Sequence, residues 1–265
     1  MIINKEKQAG LNFTEFNKQR VLKERYDSID SLQLDSSIKS DAKDRILHTI
    51  SDEGTKFYLP TKTVMDLSSR VKVDIDTFDY KFLDTISEKK ITFLLGDKFY
   101  RWTKTSEKIN VFAAYQVPIP EYLKKFYPQG VTHDISYVFF SFDMKHGALS
   151  LPPNIVSPFS TETVLEFLRL LIFTELSPIE SKTIHYNQSI GTRRAGKYKN
   201  ESKTPVIVVD STWNLNIVVT GEFIVSGFFR MQPCGKNWSK RELIWVSSFK
   251  KNGYTKGAKK NTFNT

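Results

Sequence analysis

Basic side chains, carboxamides and aromatic rings are concentrated in two stretches near the end of this sequence, residues 182–203 and 230–241. Lysine and arginine bind phosphate oxygens, and aromatic rings stack on unpaired bases. The residues of this kind are Arg193, Arg194, Lys197, Tyr198 and Lys199 in the first stretch and Arg230, Gln232, Lys236, Trp238, Lys240 and Arg241 in the second. Together they predict a surface that holds a phosphate-rich polymer.

Two residues of this basic region, His185 and Arg230, have side chains that could also serve catalysis. Metal-independent cleavage of a phosphodiester needs a group that exchanges protons and a cation beside the phosphate. A histidine and an arginine can supply those two roles, so they are the catalytic candidates. The sequence leaves open whether the protein is an enzyme.

Two further His–Asp pairs flank one predicted strand. His133 precedes Asp134 at its start, and Asp143 lies three residues before His146 at its end. Neither pair has a third group that would complete a catalytic set. Both pairs are more typical of polar clusters at strand ends than of an active site.

Motifs for metal ions and nucleotide cofactors are missing from the sequence. The acidic segment 74–84 lacks the glycine and the terminal glutamate of an EF-hand loop, and residues 191–196 lack the spacing of a P-loop. The chain contains no GxSxG, HExxH or CxxC motif and no dinucleotide fingerprint. We therefore predict no cofactor and no metal site.

The distribution of charge separates the last third of the chain from the rest. The net charge of the 265 residues is +10, and residues 181–265 contain 15 Lys/Arg against 4 Asp/Glu, which leaves a net charge of −1 on residues 1–180. A positive field concentrated in this way attracts nucleic acid first, and then an anionic membrane or an acidic protein. The same charge is also compatible with a solvated basic face.

Three features predict a cytoplasmic protein without a membrane partner. The longest apolar run, residues 164–173, is too short to cross a bilayer and is interrupted by Glu166 and Arg169. The first residues lack the continuous apolar segment of a secretory signal. The single cysteine, Cys234, cannot form an internal disulfide, which fits a reducing compartment.

The periodicity of apolar residues predicts the elements that position the basic stretches. The expected helices are residues 13–26, residues 41–50 with a cap at Ser40 or Asp41, a short helix capped by Thr61 or Thr63, and a buried helix capped by Ser160. The expected strands are residues 90–100 with a hairpin at Gly96-Asp97, 108–117, 134–142, 205–209, 215–219, 222–231 and 243–249. Arg230 and Gln232 are expected on one strand face, opposite Phe229 and Met231.

These elements predict an α+β fold with a helical N-terminal region, a central mixed or antiparallel sheet, one buried helix and a C-terminal β-meander. The expected segments are a helical region at 1–55, an α+β core at 56–180, a basic β-rich C-terminal module at 181–250 and a flexible basic tail at 251–265. Residues 182–203 show neither a helical nor a strand period, so they are predicted to be a basic loop.

One segment of the C-terminal module resembles a known protein module. Residues 227–235 read GFFRMQPCG, and SKR at 239–241 and IWV at 244–246 follow. This pattern resembles a module near the C-termini of uncharacterised bacterial, plasmid and phage proteins, whose members show a Gly-His-aromatic-Arg-x-Gln core. Phe228 stands where that histidine would be. The resemblance covers about 30 residues, centred on 227–246, and implies a mobile-element or phage-conflict setting without a defined activity.

Three functions follow from these observations as alternatives. The first is a nucleic-acid-binding protein of a mobile-element or phage-conflict system, in which the two basic stretches form one groove. The second is a toxin-like nuclease that acts on RNA or DNA. The third is an interaction protein that is bound or neutralised by an acidic protein partner.

Overall fold

The computed structural model describes residues 2–4, 15–151, 158–192, 196–211, 217–219, 223–225, 228–251 and 254–256. Its helices are α1 (Glu15–Asp30), α2 (Ser36–Ile50), α3 (Lys62–Ser68) and α4 (Pro158–Leu176), with 3-10 helices at Tyr80–Thr85, Glu121–Phe126 and Lys236–Trp238. Its strands are β1 (Ile2–Ile3), β2 (Lys56–Pro60), β3 (Lys89–Leu95), β4 (Lys98–Lys104), β5 (Lys108–Pro118), β6 (His133–Asp143), β7 (Ala148–Ser150), β8 (Ile179–Ile184), β9 (Ser189–Thr192), β10 (Gly196–Asn200), β11 (Val206–Ser211), β12 (Ile217–Val219), β13 (Phe223–Val225), β14 (Phe228–Cys234), β15 (Lys240–Val246), β16 (Phe249–Lys251) and β17 (Tyr254–Lys256). The α+β class is confirmed.

Eight strands form one mixed sheet in the order β7-β6-β5-β4-β3-β2-β11-β8. From β3 to β7 each strand pairs antiparallel with the next. The predicted hairpin at Gly96-Asp97 joins β3 to β4, and Gly96 has a φ of 73°, which suits glycine at the first position of a two-residue turn. β2 lies between β3 and β11 and runs parallel to both, so the sheet is mixed.

One face of this sheet is covered by α3, α4 and the Tyr80–Thr85 helix. Alternate residues of the central strands point to this side, and the ring of Phe167 from α4 lies at its centre. The aromatic rings around Phe167, with centroids 5.6 to 6.5 Å away, are Phe93, Tyr100, Trp102, Phe140 and Phe142. The prediction of a buried helix is confirmed. Among the described helices, none is long and apolar enough to traverse a membrane.

The opposite face of the sheet is covered by α1, α2 and a small sheet in the order β1-β10-β9. Val21 of α1, Ile50 of α2 and Ile3 of β1 are buried there against Leu94 and Phe112. The eight-stranded sheet is therefore the middle of three layers. It separates a first apolar core, on the side of α4, from a second core, on the side of α1 and α2.

Two cationic side chains of the sheet donate hydrogen bonds to the C-terminal end of α2. Lys90 of β3 donates to the carbonyl of His48, while Arg101 of β4 donates to the carbonyl of Ile50 and to the carboxylate of Asp52. Burial lowers the pKa of both cations, but the carbonyl end of a helix favours positive charge. The two cations therefore close the last turn of α2 from the side of the sheet.

The helix starts follow the sequence prediction only in part. Thr61 caps α3, since its hydroxyl accepts a hydrogen bond from the backbone three residues later. The cap predicted at Ser40 or Asp41 is wrong because α2 already begins at Ser36. The cap at Ser160 is also wrong, since α4 begins two residues earlier. The first turns of both helices are polar or proline-containing, so apolar periodicity does not reveal them.

The prediction of an irregular loop at residues 182–203 is wrong. β9 and β10 form an antiparallel hairpin there. Tyr198 and Asn200 of β10 are buried, while Lys197 and Lys199 are exposed. The Asn200 side chain donates to the backbone carbonyl that ends β8, at 2.7 Å. The alternation escapes a composition-based prediction because these strands span only four and five residues.

The described strands between residues 217 and 256 form three two-stranded antiparallel ladders, together named the C-terminal ribbon. Its three ladders pair β12 with β17, β13 with β16 and β14 with β15. The last two ladders share one register, because Val225 pairs with Phe249 and, three positions further along each strand, Phe228 pairs with Val246. The predicted hairpin is thus confirmed, but its strands extend to Cys234 and resume at Lys240, so the predicted loop at 232–242 shortens to five residues.

Strand pairing crosses two of the predicted segment boundaries. β11 falls in the predicted C-terminal module and β8 crosses its predicted start at residue 181, yet both are strands of the large sheet. The tail predicted as flexible from residue 251 includes β17, which pairs with β12. Residues 257–265 lie outside the described part of the chain. The C-terminal ribbon, rather than the whole of 181–250, is the segment that stands apart from the large sheet.

Candidate nucleic-acid interface

The C-terminal ribbon turns at residues 235–239. The turn contains the 3-10 helix Lys236–Trp238, and Gly235 and Asn237 in it have φ values of 77° and 57°. Glycine and asparagine tolerate this left-handed region better than other residues. The turn therefore presents Lys236 at the end of the ribbon on a defined backbone. The side chain of Trp238 lies outside the described set.

Strand alternation places most polar side chains of the β14–β15 hairpin on one face, which also includes Ile244 opposite Arg230. Arg230 and Gln232 lie on this face, and Glu242 of β15 pairs directly opposite Gln232. The Arg230 guanidinium donates a hydrogen bond to the side-chain oxygen of Gln232. The two side chains therefore share a face, as the alternation predicted, and the hydrogen bond holds their polar groups together.

Cys234 belongs to the same polar face. Partial burial, followed by the neighbouring Glu242 carboxylate, raises the pKa of its thiol. A thiol with a raised pKa stays protonated near neutral pH and is a poor nucleophile. Cys234 therefore adds no thiolate chemistry to the hairpin.

The other face of the hairpin contacts the body of the protein. Phe229 meets Phe82 edge-to-face, with ring centroids 4.4 Å apart and an interplanar angle of 78°. Phe82 belongs to the Tyr80–Thr85 helix and packs against the first core. Because Phe229 points inward, its neighbour Arg230 points away from the body. This contact fixes which face of the hairpin is available to a ligand.

Four basic residues of the hairpin are exposed: Arg230, Lys236, Lys240 and Arg241. Within the described residues none of the four forms an ion pair, whereas several cations of the body do, for example Lys89 with Glu175 at 2.5 Å. The hairpin 228–246 contains only one acidic residue. Positive charge at its tip is therefore available to an external anion.

The first basic stretch has a different arrangement. Tyr198 is only 3% exposed and packs in the second core, so its ring cannot stack on a base, and burial raises the pKa of its hydroxyl. Lys197 and Lys199 are exposed, but Lys199 pairs with Glu201 at 3.2 Å. Arg193 and Arg194 lie outside the described residues.

The two basic stretches lie on opposite sides of the large sheet, so the structure does not bring them into one groove. Tyr198 marks the side of α1 and α2, and Phe229 the side of α4. His185 follows β8, the strand at one edge of the sheet. The Tyr80–Thr85 helix, which Phe229 contacts, lies near β6, since the ring of Tyr80 stacks on the ring of Phe142. Six strand spacings separate β6 from β8, or about 29 Å. His185 and Arg230 therefore do not form one catalytic site.

The two His–Asp pairs have structural partners. Arg20 of α1 and the hydroxyl of Tyr127 each reach Asp134 at 2.6 Å, which ties α1 to β6. Asp143 accepts from the backbone N–H of His146 at 2.9 Å in an exposed turn. That bond and the His146 ring lower the pKa of Asp143 to about 2. Neither pair lines one of the two cavities described next.

The larger of these cavities, of about 590 Å³, opens beside the start of α4. Asp74, Asp76 and Tyr80 line it together with apolar side chains. The Tyr80 hydroxyl donates to the carbonyl of Ile75 at 2.9 Å, and burial followed by the two aspartates raises its pKa to about 12. It is therefore not an acid–base group near neutral pH. In the described part of the chain, no three His, Cys, Asp or Glu side chains are grouped to hold a metal ion.

A second cavity, of about 310 Å³, lies at the ends of β4 and β5 and includes Tyr100 and Thr163. The Tyr100 hydroxyl and the Lys98 ammonium both donate to Glu166 of α4 at 2.5 Å. Burial, followed by the Glu166 carboxylate, raises the pKa of Tyr100. The residues that line this second cavity belong to segments far apart in sequence, so the sequence alone could not identify it. The three polar groups satisfy one another and join α4 to the sheet.

Comparisons of the chain with protein-family models, with curated protein sequences and with solved structures gave no match. Its function is therefore inferred from its own residues.

Proposed function

We propose that this protein binds nucleic acid through the β14–β15 hairpin of the C-terminal ribbon. The observation that carries this proposal is a set of four exposed cations, none of them paired with an acidic side chain among the described residues, on a hairpin anchored to the body. Arg230, Lys236, Lys240 and Arg241 supply positive charge for phosphate oxygens, and Gln232 supplies a neutral hydrogen-bonding group. The resemblance of residues 227–246 to a module of mobile-element proteins supports a setting of that kind.

The affinity for nucleic acid should fall steeply as the salt concentration rises. Each phosphate neutralised on duplex DNA contributes about −0.9 to the slope of log K against log salt concentration. Four phosphate contacts give a slope of about −3.6, so affinity falls roughly 150-fold between 50 and 200 mM salt; three contacts, with Arg230 on a base edge instead, give about −2.7 and a roughly 40-fold fall. A single truncated phosphate contact lowers the magnitude of the slope by about 0.9.

Fluorescence anisotropy with labelled duplex and single-stranded oligonucleotides tests the proposal. The variant R230A/K236A/K240A/R241A should lose nearly all of the salt-dependent affinity. The matched control removes four exposed cations from other parts of the surface: Lys56, Lys62, Arg70 and Lys72. The control should retain most of the affinity, since non-specific attraction to net charge is the only term that it changes.

Two outcomes would overturn the proposal. One is equal loss of affinity in the hairpin variant and the control, which would assign binding to net charge rather than to this site. The other is absence of binding to every oligonucleotide together with purification of a stoichiometric acidic protein, which would favour a protein partner instead. Circular dichroism of both variants checks that the fold is intact.

A further inference from the structure

The shape of the C-terminal ribbon distinguishes between nucleic-acid ligands. Within the described residues each of its ladders has only two strands, so no third strand widens it. The β13–β16 and β14–β15 ladders continue in one register. Each ladder is therefore narrow, with its two strands about 4.8 Å apart.

A ribbon of this width fits one kind of groove. The major groove of B-form DNA is about 12 Å wide and admits a two-stranded β-ribbon, whereas the minor groove is only about 6 Å wide. The major groove of A-form RNA is deep and too narrow for side chains to read. Steric fit thus favours duplex DNA over duplex RNA, and the major groove over the minor.

The outward face of the hairpin has side chains that suit base edges. The backbones of Arg230 and Gln232 are about 6.7 Å apart on one strand, and two base-pair steps also span about 6.8 Å. The Arg230–Gln232 hydrogen bond opens when each side chain turns to its own base. Arginine pairs with the O6 and N7 atoms of guanine, and glutamine pairs with the N6 and N7 atoms of adenine. Lys236 lies at the tip, with Lys240 beside it on the outward face and Arg241 on the opposite face, so these exposed cations can contact phosphates on the groove walls.

We propose that the hairpin enters the major groove of duplex DNA, with Arg230 and Gln232 facing bases and the three tip cations contacting phosphates. This inference rests on the proposed function and adds the ligand class and the groove. It predicts preferred sites that contain a guanine and an adenine about two base pairs apart.

The first test compares probes of one sequence in anisotropy titrations at fixed salt. They are an unmodified DNA duplex, the same duplex with glucosylated 5-hydroxymethylcytosine filling the major groove, the duplex with its minor groove occupied by netropsin, and duplex RNA. We expect at least 10-fold weaker binding to the major-groove-filled duplex and to duplex RNA, and little change with netropsin. Equal binding to all four probes would overturn the groove assignment while leaving nucleic-acid binding intact. Absence of binding to all of them would instead remove the proposed function itself.

The second test separates base contacts from phosphate contacts. Selection from a random duplex library should enrich the guanine–adenine spacing for the wild-type protein. Arg230→Lys keeps the charge but loses the bidentate geometry, so it should reduce discrimination at the guanine by roughly 5- to 150-fold. Lys236→Ala should weaken binding to all sequences alike. If the two variants behave the same, Arg230 is a phosphate contact and the inference is wrong.

Discussion

The contact between Phe82 and Phe229 should determine how firmly the C-terminal ribbon is held against the body. An edge-to-face pair contributes about 0.5–1.5 kcal/mol beyond its buried area. Both rings are only partly buried, so each Phe→Ala substitution should cost less than the roughly 3–5 kcal/mol of a fully buried phenylalanine. We expect a loss of about 2 kcal/mol for each single variant and a coupling free energy of about 1 kcal/mol between them.

The assay is a double-mutant cycle in urea, combined with amide hydrogen exchange of the ribbon. Phe82→Ala and Phe229→Ala should each increase exchange in β14 and β15, and the double variant should increase it little further. Phe78→Ala is the matched control, because Phe78 contacts Phe82 from another direction at 6.5 Å and should leave ribbon exchange nearly unchanged. Free energies that add within about 0.3 kcal/mol would show that the two rings are independent and that the ribbon is held by other contacts.

Three further substitutions test the body of the fold. Tyr80→Phe should cost about 1 kcal/mol of stability at pH 8 through its lost hydrogen bond. The pKa of Tyr80 in the folded protein is about 12, above the ordinary value of 10.0, so wild-type stability should also fall between pH 10 and 12. Urea midpoints measured at pH 9 and pH 11 should therefore differ less in the variant than in the wild type. Arg101→Met should cost about 2–4 kcal/mol, since the carbonyl of Ile50 loses its charged donor; an unchanged melting temperature would contradict the closing of α2 by the sheet. Thr61→Ala should cost about 1 kcal/mol by removing the α3 cap and the bond to Asp210 at 2.7 Å, whereas Thr61→Ser, compared by the same unfolding curves, should retain most of both.

Local patterns predicted the elements of the fold better than their arrangement. The hairpin at Gly96-Asp97 and the buried helix around Phe167 follow from turn chemistry and apolar repeats, and both are confirmed. The parallel pairing of β2 with β11 is not local, because paired residues such as Phe57 and Val206 are 149 positions apart. Pairing at such a distance depends on the packing of the whole sheet, which no single window of sequence contains.

The candidate interface likewise combines features that the sequence predicted with features that it did not. The common face of Arg230 and Gln232 follows from strand alternation, and their hydrogen bond agrees with it. The assignment of Tyr198 as a stacking residue failed because an aromatic ring in a basic segment serves a core equally well, and only the placement of β10 over the sheet decides between the two. The two basic stretches are separated because they lie over opposite faces of the large sheet. The distribution of charge along the sequence carries no information about these faces, so it could not predict the separation.

The central position of β2 has a consequence for the order in which the chain folds. β2 is synthesised early, yet its neighbour β11 is complete only when residue 211 has been made. Until then one edge of β2 has unpaired backbone groups, and such an edge is a site for mispairing with other chains. Pairing between distant segments also slows folding, since the intervening loop must close first. A nascent chain released before residue 211 would therefore lack a shielded sheet edge and would be prone to aggregate, even though most of its apolar residues were already present.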